Sequence, residues 1–132
     1  LEQIGMKREF GKKQDELKEK LFAELKERLV EFMKTTEYGR LLEKQVQEAT
    51  ELAGKEFMTI YLTPEDEEKA KSLKFPASAD IRISEYSFMG GIRAVIPSRH
   101  ILIDNSFESK LEEEKRDFRF DIREMMGGGE NG

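Results

Sequence analysis

Between residues 88 and 111 the chain reads FMGGIRAVIPSRHILIDNSFESKL, and this stretch gathers most of the residue types from which a small active site is built. Gly90 and Gly91 could let backbone N–H groups converge on a phosphate. His100 is the only histidine in the chain, and Ser98 and Asp104 stand close to it in sequence. Together they have the residue types of a nucleophile, a base and an orienting carboxylate. Two acidic runs, PEDEE at 64–68 and LEEEKRD at 111–117, could attract a cation.

Weighed by position, each of these has a plainer reading. A phosphate cradle needs glycines that open a helix, whereas Gly90 and Gly91 lead into the β-branched run 92–96, and no Lys-Ser or Lys-Thr pair follows. They are expected to turn the chain. A metal at His100 would need two or three further ligands, and closeness within a turn does not make a catalytic triad, so His100 is expected to be a solvated turn residue. The acidic runs lack the alternating oxygen ligands and central glycine of a calcium loop. They read as solvated helix faces carrying i,i+4 charge pairs. Asp104 and Asn105 read as capping residues where a strand passes into a helix. No catalytic residue, metal ligand or cofactor site is therefore expected.

The composition narrows the function further. Of 132 residues, 37% are apolar and 39% charged, against about 45–50% and about 25% in an average globular domain. A long solvated helix, or the Lys/Glu enrichment of a thermophile, would produce that bias. The net charge of -5 lacks the basic footprint of a nucleic-acid binder. With no cysteine, disulfides and Cys-based zinc sites are excluded, and the chain suits a reducing compartment. No apolar run reaches the ~18–20 residues that span a membrane, and no stretch reads as a signal peptide, so none is expected. The chain begins with Leu1 inside a helical pattern, so it is expected to be a piece of a longer protein.

The elements that must position these residues follow from periodicity. Residues 1–35 read as one helix, weakened at Gly5 and Gly11 by about 1 kcal/mol each and about 50 Å long. A second helix capped by Thr36 is expected to carry Tyr38, Leu41, Leu42, Val46, Ala49 and Leu52 on one face and to end at Gly54. Residues 57–62 read as a strand. TPEDEE starts a short helix, with Thr63 as cap and Pro64 at the first helical position, ending near Leu73. Residues 81–86 alternate as a half-buried strand, 92–96 and 101–104 form a hairpin across the turn 97–100, and Asn105 caps a last helix with Glu108 in a capping box, running to about Met125. The sum is an α+β fold: a long N-terminal helix (1–35), a compact head (36–126) with a small, mainly antiparallel sheet of about four strands packed by helices, and a tail (127–132).

The first helix poses the functional question. Leu17, Leu21, Leu25 and Leu29 recur every four residues, with Phe22, Phe32 and Met33 widening the stripe; farther up, Ile4, Met6 and Phe10 continue it thinly. From Leu21 to Met33 the head itself could cover the stripe. From Ile4 to Leu17 it extends too far, and a partner helix is the better cover, with Met6, Phe10, Leu17, Leu21 and Leu25 as the interface. Pairs 11 residues apart (Met6 and Leu17; Phe10, Leu21 and Phe32) favour a right-handed supercoil.

The stretch 88–111 resembles the E subunit of V-type and A-type rotary ATPases/ATP synthases. The resemblance rests on Gly90 and Gly91 before a strand, on Asp104, Asn105, Ser106 and Phe107 after the returning strand, and on the basic-Leu pair Lys110 and Leu111. It departs from the family at the turn, where PSRH stands in place of the common Asp-Gly. The resemblance implies a non-catalytic peripheral-stalk subunit that pairs with a small helical subunit of the G or H type and holds the catalytic A/B head static against the rotor. It also implies a cytoplasmic protein that reaches the membrane only through the complex. Without its partner, the exposed stripe could pair with a second copy as a homodimer. A regulator of a flagellar or type III secretion ATPase is the runner-up, and a small enzyme around His100, Ser98 and Asp104 is the third reading.

Overall fold

A computed structural model describes residues 2–118, with side chains from 11 onward. The elements are α1 (Glu2–Phe32), α2 (Thr36–Ala53), β1 (Met58–Leu62), a 3-10 turn (Pro64–Asp66) running into the four-residue α3 (Glu67–Ala70), β2 (Ala79–Ile83), β3 (Ile92–Ile96), a 3-10 turn (Pro97–Arg99), β4 (Ile101–Asp104) and α4 (Phe107–Asp117). Among the described residues this is an α+β fold with one small four-stranded sheet, order β2-β1-β3-β4. The part of the last helix expected at 119–125, and the tail 127–132, lie outside the described residues.

The sheet is mixed. β1 pairs antiparallel with β3, and β3 with β4, but β1 and β2 run parallel, with Met58 beside Ala79 and Leu62 beside Ile83. Parallel pairing needs a crossover of about a dozen residues or more, and residues 63–78 supply it. The same register places β2 at Ala79–Ile83 instead of the expected 81–86: Ser84 N–H to Leu62 O (2.8 Å) is the last rung of the ladder, and the Ser84 hydroxyl then closes a local turn by accepting from Tyr86 N–H (3.1 Å).

The core is the plane between α2 and one face of the sheet. Tyr38, Leu42, Val46, Ala49 and Ala53 are buried at helical spacing. They face Met58, Ile60 and Leu62 of β1 and Ile92, Ala94 and Ile96 of β3, the buried positions of each strand's period-two alternation. Each fully buried aliphatic side chain contributes about 1.5–3 kcal/mol. Leu52, expected on this face, is instead 47% exposed, and Ala53 takes the inward position.

Three expected caps act otherwise. Thr35, not Thr36, precedes α2, and its hydroxyl donates to Phe32 O (2.6 Å), closing the end of α1 instead of capping α2. Thr63 does hold the cap position, with Pro64 following as expected, but it makes no cap hydrogen bond: its hydroxyl donates to Glu65 (2.8 Å) and accepts from Phe88 N–H (3.1 Å), tying the crossover to the loop before β3. α4 is capped by Ser106, whose hydroxyl accepts from Ser109 N–H, and not by Asn105. Asp104 decides this last shift, because its carboxylate accepts from Ser106 N–H (3.0 Å) and sets Ser106 at the cap position.

The glycine pair does turn the chain, and closely. Gly91 has φ +78, and a Cβ there would lie 2.2 Å from Asn105 O; a Cβ on Gly90 would lie 2.8 Å from the Phe107 ring. The strands and α4 meet at this point through Asn105 N–H to Ile92 O (2.9 Å) and Phe107 N–H to Gly90 O (2.9 Å). Gly91→Ala combines a backbone clash with a conformation that L-residues rarely adopt, so it is expected to lower unfolding free energy by roughly 2–4 kcal/mol. Chemical denaturation checks this, with Gly11→Ala on the open face of α1 as the control that leaves the midpoint unchanged or slightly raised.

Candidate functional site

The residues from which an active site was conceivable are not brought together. His100 sits at φ +54 in the exposed β3–β4 turn. Asp104 lies at the far end of β4, roughly 13 Å along the strand. Ser98 donates to Glu56 (2.9 Å), and Arg99 donates to Leu52 O (2.7 Å), so the turn is fastened to the end of α2. Among the described residues no group of three or more His, Asp or Glu side chains could hold a metal, and no helix is long and apolar enough to cross a membrane.

The resemblance-bearing residues form a corner of the head. Gly90 packs on Phe107, whose ring lies 6.4 Å from Phe32 and 5.7 Å from Tyr38. Asp104 is the polar centre. It accepts from the hydroxyls of Ser106 (2.6 Å) and Ser109 (2.5 Å) and pairs with Arg93 (3.2 Å), which stacks over the Phe88 ring at 4.6 Å. Burial pushes the Asp104 carboxyl upward, but the two hydroxyls and Arg93 outweigh it and hold it at about 2. Lys110 is exposed and takes no part in the corner, and Leu111 is half-buried at its edge.

Two polar connections escaped the sequence reading. Gln45 is buried on the apolar face of α2, where its amide oxygen accepts from Ile92 N–H (3.0 Å) and its nitrogen donates to Asn105 O (3.5 Å). A polar residue between Leu42 and Val46 was the available signal. The second is Asp66. It was expected on a solvated acidic face, but the 3-10 turn carries it inward to 1% exposure. There it accepts from the Tyr38 hydroxyl, which itself accepts from Gly91 N–H (3.0 Å). Burial pushes the Asp66 carboxyl above its ordinary range, against the Tyr38 hydrogen bond and the charge of Lys69. Burial and the adjacent Asp66 likewise raise the Tyr38 hydroxyl.

The proposed partner-helix residues lie on α1. The side chains of Met6 and Phe10 are outside the described residues. Leu17, Leu21 and Leu25 are 45%, 42% and 38% exposed. The expectation that the head covers the stripe from Leu21 onward is therefore corrected: Phe22 is half-buried, but along the leucine row cover begins only at Leu29, half-buried, and is complete at Met33. The reason is the direction of α4. It packs on a neighbouring face of α1, with Lys115 on Glu19 (2.7 Å) and Phe118 edge-on to Phe22 (5.5 Å). Phe22 is about 100° around the helix from Leu21, so α4 leaves the leucine row bare.

Neither the protein-family models nor the curated proteins give a match to this chain.

The two carboxylates have opposite effects on stability. Asp104, depressed in the folded state, stabilises above its unfolded value near 3.9, and this contribution is lost as pH falls toward about 2. Asp104→Asn should flatten the loss of stability over that acid interval. Asp66, raised in the folded state, stabilises only while protonated, and its contribution is lost as pH rises through its elevated folded value. Asp66→Asn keeps an acceptor for Tyr38 and removes the buried charge, so it should raise the thermal midpoint at neutral pH and leave it little changed near pH 4. Thermal melts from pH 2 to 8 check both.

Proposed function

We propose that this chain is a peripheral-stalk subunit of the E type from a V/A-type rotary ATPase or ATP synthase, a stator that carries force and performs no catalysis. The observation that carries this reading is the leucine row of α1. Leu17, Leu21 and Leu25 stay exposed on a helix that extends beyond the head, on a face that α4 does not cover. Scattered exposed leucines need no explanation, but a row at steps of four lies along one face of the helix, and such a face, left uncovered by its own head, suits a partner helix.

In this reading α1 is the stalk element and pairs with the long helix of a G- or H-type subunit. The head rests on the catalytic A/B subunits, and the complex keeps the protein beside the membrane. The corner at Gly90, Gly91 and 104–107 supports the reading in a second way. Its residues are occupied with one another, as a rigid mount requires, and none presents a free nucleophile or base. A mount that transmits torque needs a stiff junction between stalk and head, and Phe32, Tyr38 and Phe107 interlock there at ring distances of 5.7–6.4 Å.

Mixed with a G- or H-type helical subunit, the chain is expected to elute as a one-to-one heterodimer by light scattering and to hydrolyse no ATP alone. The double variant Leu21→Asp, Leu25→Asp should weaken that complex at least tenfold, about 1.4 kcal/mol or more, with an unchanged head by circular dichroism. Absence of binding both to such a subunit and to the catalytic head would sink the reading.

A further inference from the structure

A groove of about 1070 Å³ opens between α1, α4 and the segment joining β1 to α3. Its apolar lining comes from Phe22, Val30, Met33, Met89 and Leu111, and two adjacent carboxylates, Glu65 and Asp66, also line it. The carboxylates differ in their surroundings. Glu65 is exposed and accepts from the hydroxyls of Thr63 (2.8 Å) and Ser87 (2.6 Å). Asp66 is 1% exposed, and only one of its oxygens is used: Oδ2 accepts from Tyr38, while Oδ1 is buried without any hydrogen-bond partner.

A buried acceptor left unsatisfied costs about 1–3 kcal/mol, and more where it carries charge. The cations around the groove do not relieve it. Lys34 is engaged with Glu31 (3.2 Å) and Lys115 with Glu19 (2.7 Å), and Lys26, which also lines the groove, makes no contact with the orphaned oxygen. Lys69, the nearest in effect, places its Nζ over the Tyr38 ring, 5.7 Å from the centroid, and closes no ion pair with Asp66. A metal ion does not fit, since the described residues offer no group of three ligating side chains. The lining instead suits an occupant with an apolar stem and one strong donor.

We propose that this groove is a binding site for an ammonium or guanidinium group carried on an aliphatic stem, the cation donating to Asp66 Oδ1 and the stem lying against Met33, Met89 and Leu111. Glu65 adds negative field beside the head group, which favours a cation over a neutral donor. The inference is independent of the stalk reading, because it rests on one orphaned carboxylate oxygen and on the groove that Asp66 lines. Two sources share this chemistry: a free alkylamine, and a lysine or arginine side chain offered by another protein.

The test is an NMR titration of the ¹⁵N-labelled chain with n-pentylammonium, with n-pentanol as the uncharged probe. Saturable shifts of the Met89 and Gly91 amides are expected with the amine and not with the alcohol. Asp66→Asn should weaken binding about tenfold or more without disturbing the rest of the spectrum. Lys69→Met, which removes the internal rival cation, should tighten it. A second arm uses a helical peptide with a single arginine and its norleucine counterpart. Binding that depends on the arginine and exceeds that of the free amine assigns the site to a protein side chain. A peptide no better than pentylammonium assigns it to free amines. The proposal is overturned if neither charged probe gives saturable shifts, if the alcohol matches the amine, or if both Asp66→Asn and Lys69→Met leave the affinity unchanged.

Discussion

The structure turns on one close approach of backbone to backbone. At Gly91 the chain passes so near Asn105 O that no side chain fits between them, and the hydrogen bonds from Asn105 and Phe107 back to Ile92 and Gly90 close the gap. This contact sets where β3 begins, where β4 ends and at what angle α4 departs. Phe107 is thereby held against Phe32 and Tyr38, and so the end of α1 and the start of α2 are held as well.

Polar groups lock the same corner from two sides. Gln45 reaches out of α2 to satisfy Ile92 N–H, and Tyr38 does the same for Gly91 N–H. Buried amides at a chain turn cannot use the sheet ladder, so side chains must serve them. Asp104 organises the outer side of the corner and Asp66 the inner side. Partial solvation and several donors keep the first ionised. Burial with a single donor makes charge costly on the second.

The head and α1 therefore have different energetics. The head is stabilised by a continuous apolar plane between α2 and the sheet, with its turns fastened by side chains. α1 shares that plane only through its last turns, from Leu29 to Met33. Above them its stability comes from local helix formation and from α4 along one face. The leucine row remains a surface that burial in a partner helix would stabilise.

Much of this architecture was legible in the sequence. The alternation through Met58, Ile60 and Leu62 and through Ile92, Ala94 and Ile96 marks two strands with one buried face each, and the spacing from Tyr38 to Ala49 marks the helix that covers them. The glycine pair and the proline turn 97–99 mark where the chain reverses. These features follow from local periodicity and backbone freedom, which any window of the chain carries. Tertiary structure alone decided the parallel pairing of β2 and the burial of Asp66 from within an acidic run. Each depends on a neighbour distant in sequence, Leu62 O for β2 and Tyr38 for Asp66, whereas the choice of Ser106 over Asn105 as cap is made two residues away, by the Asp104 carboxylate. Local sequence specifies what a residue can do, and only the packed neighbour specifies which of those things it does.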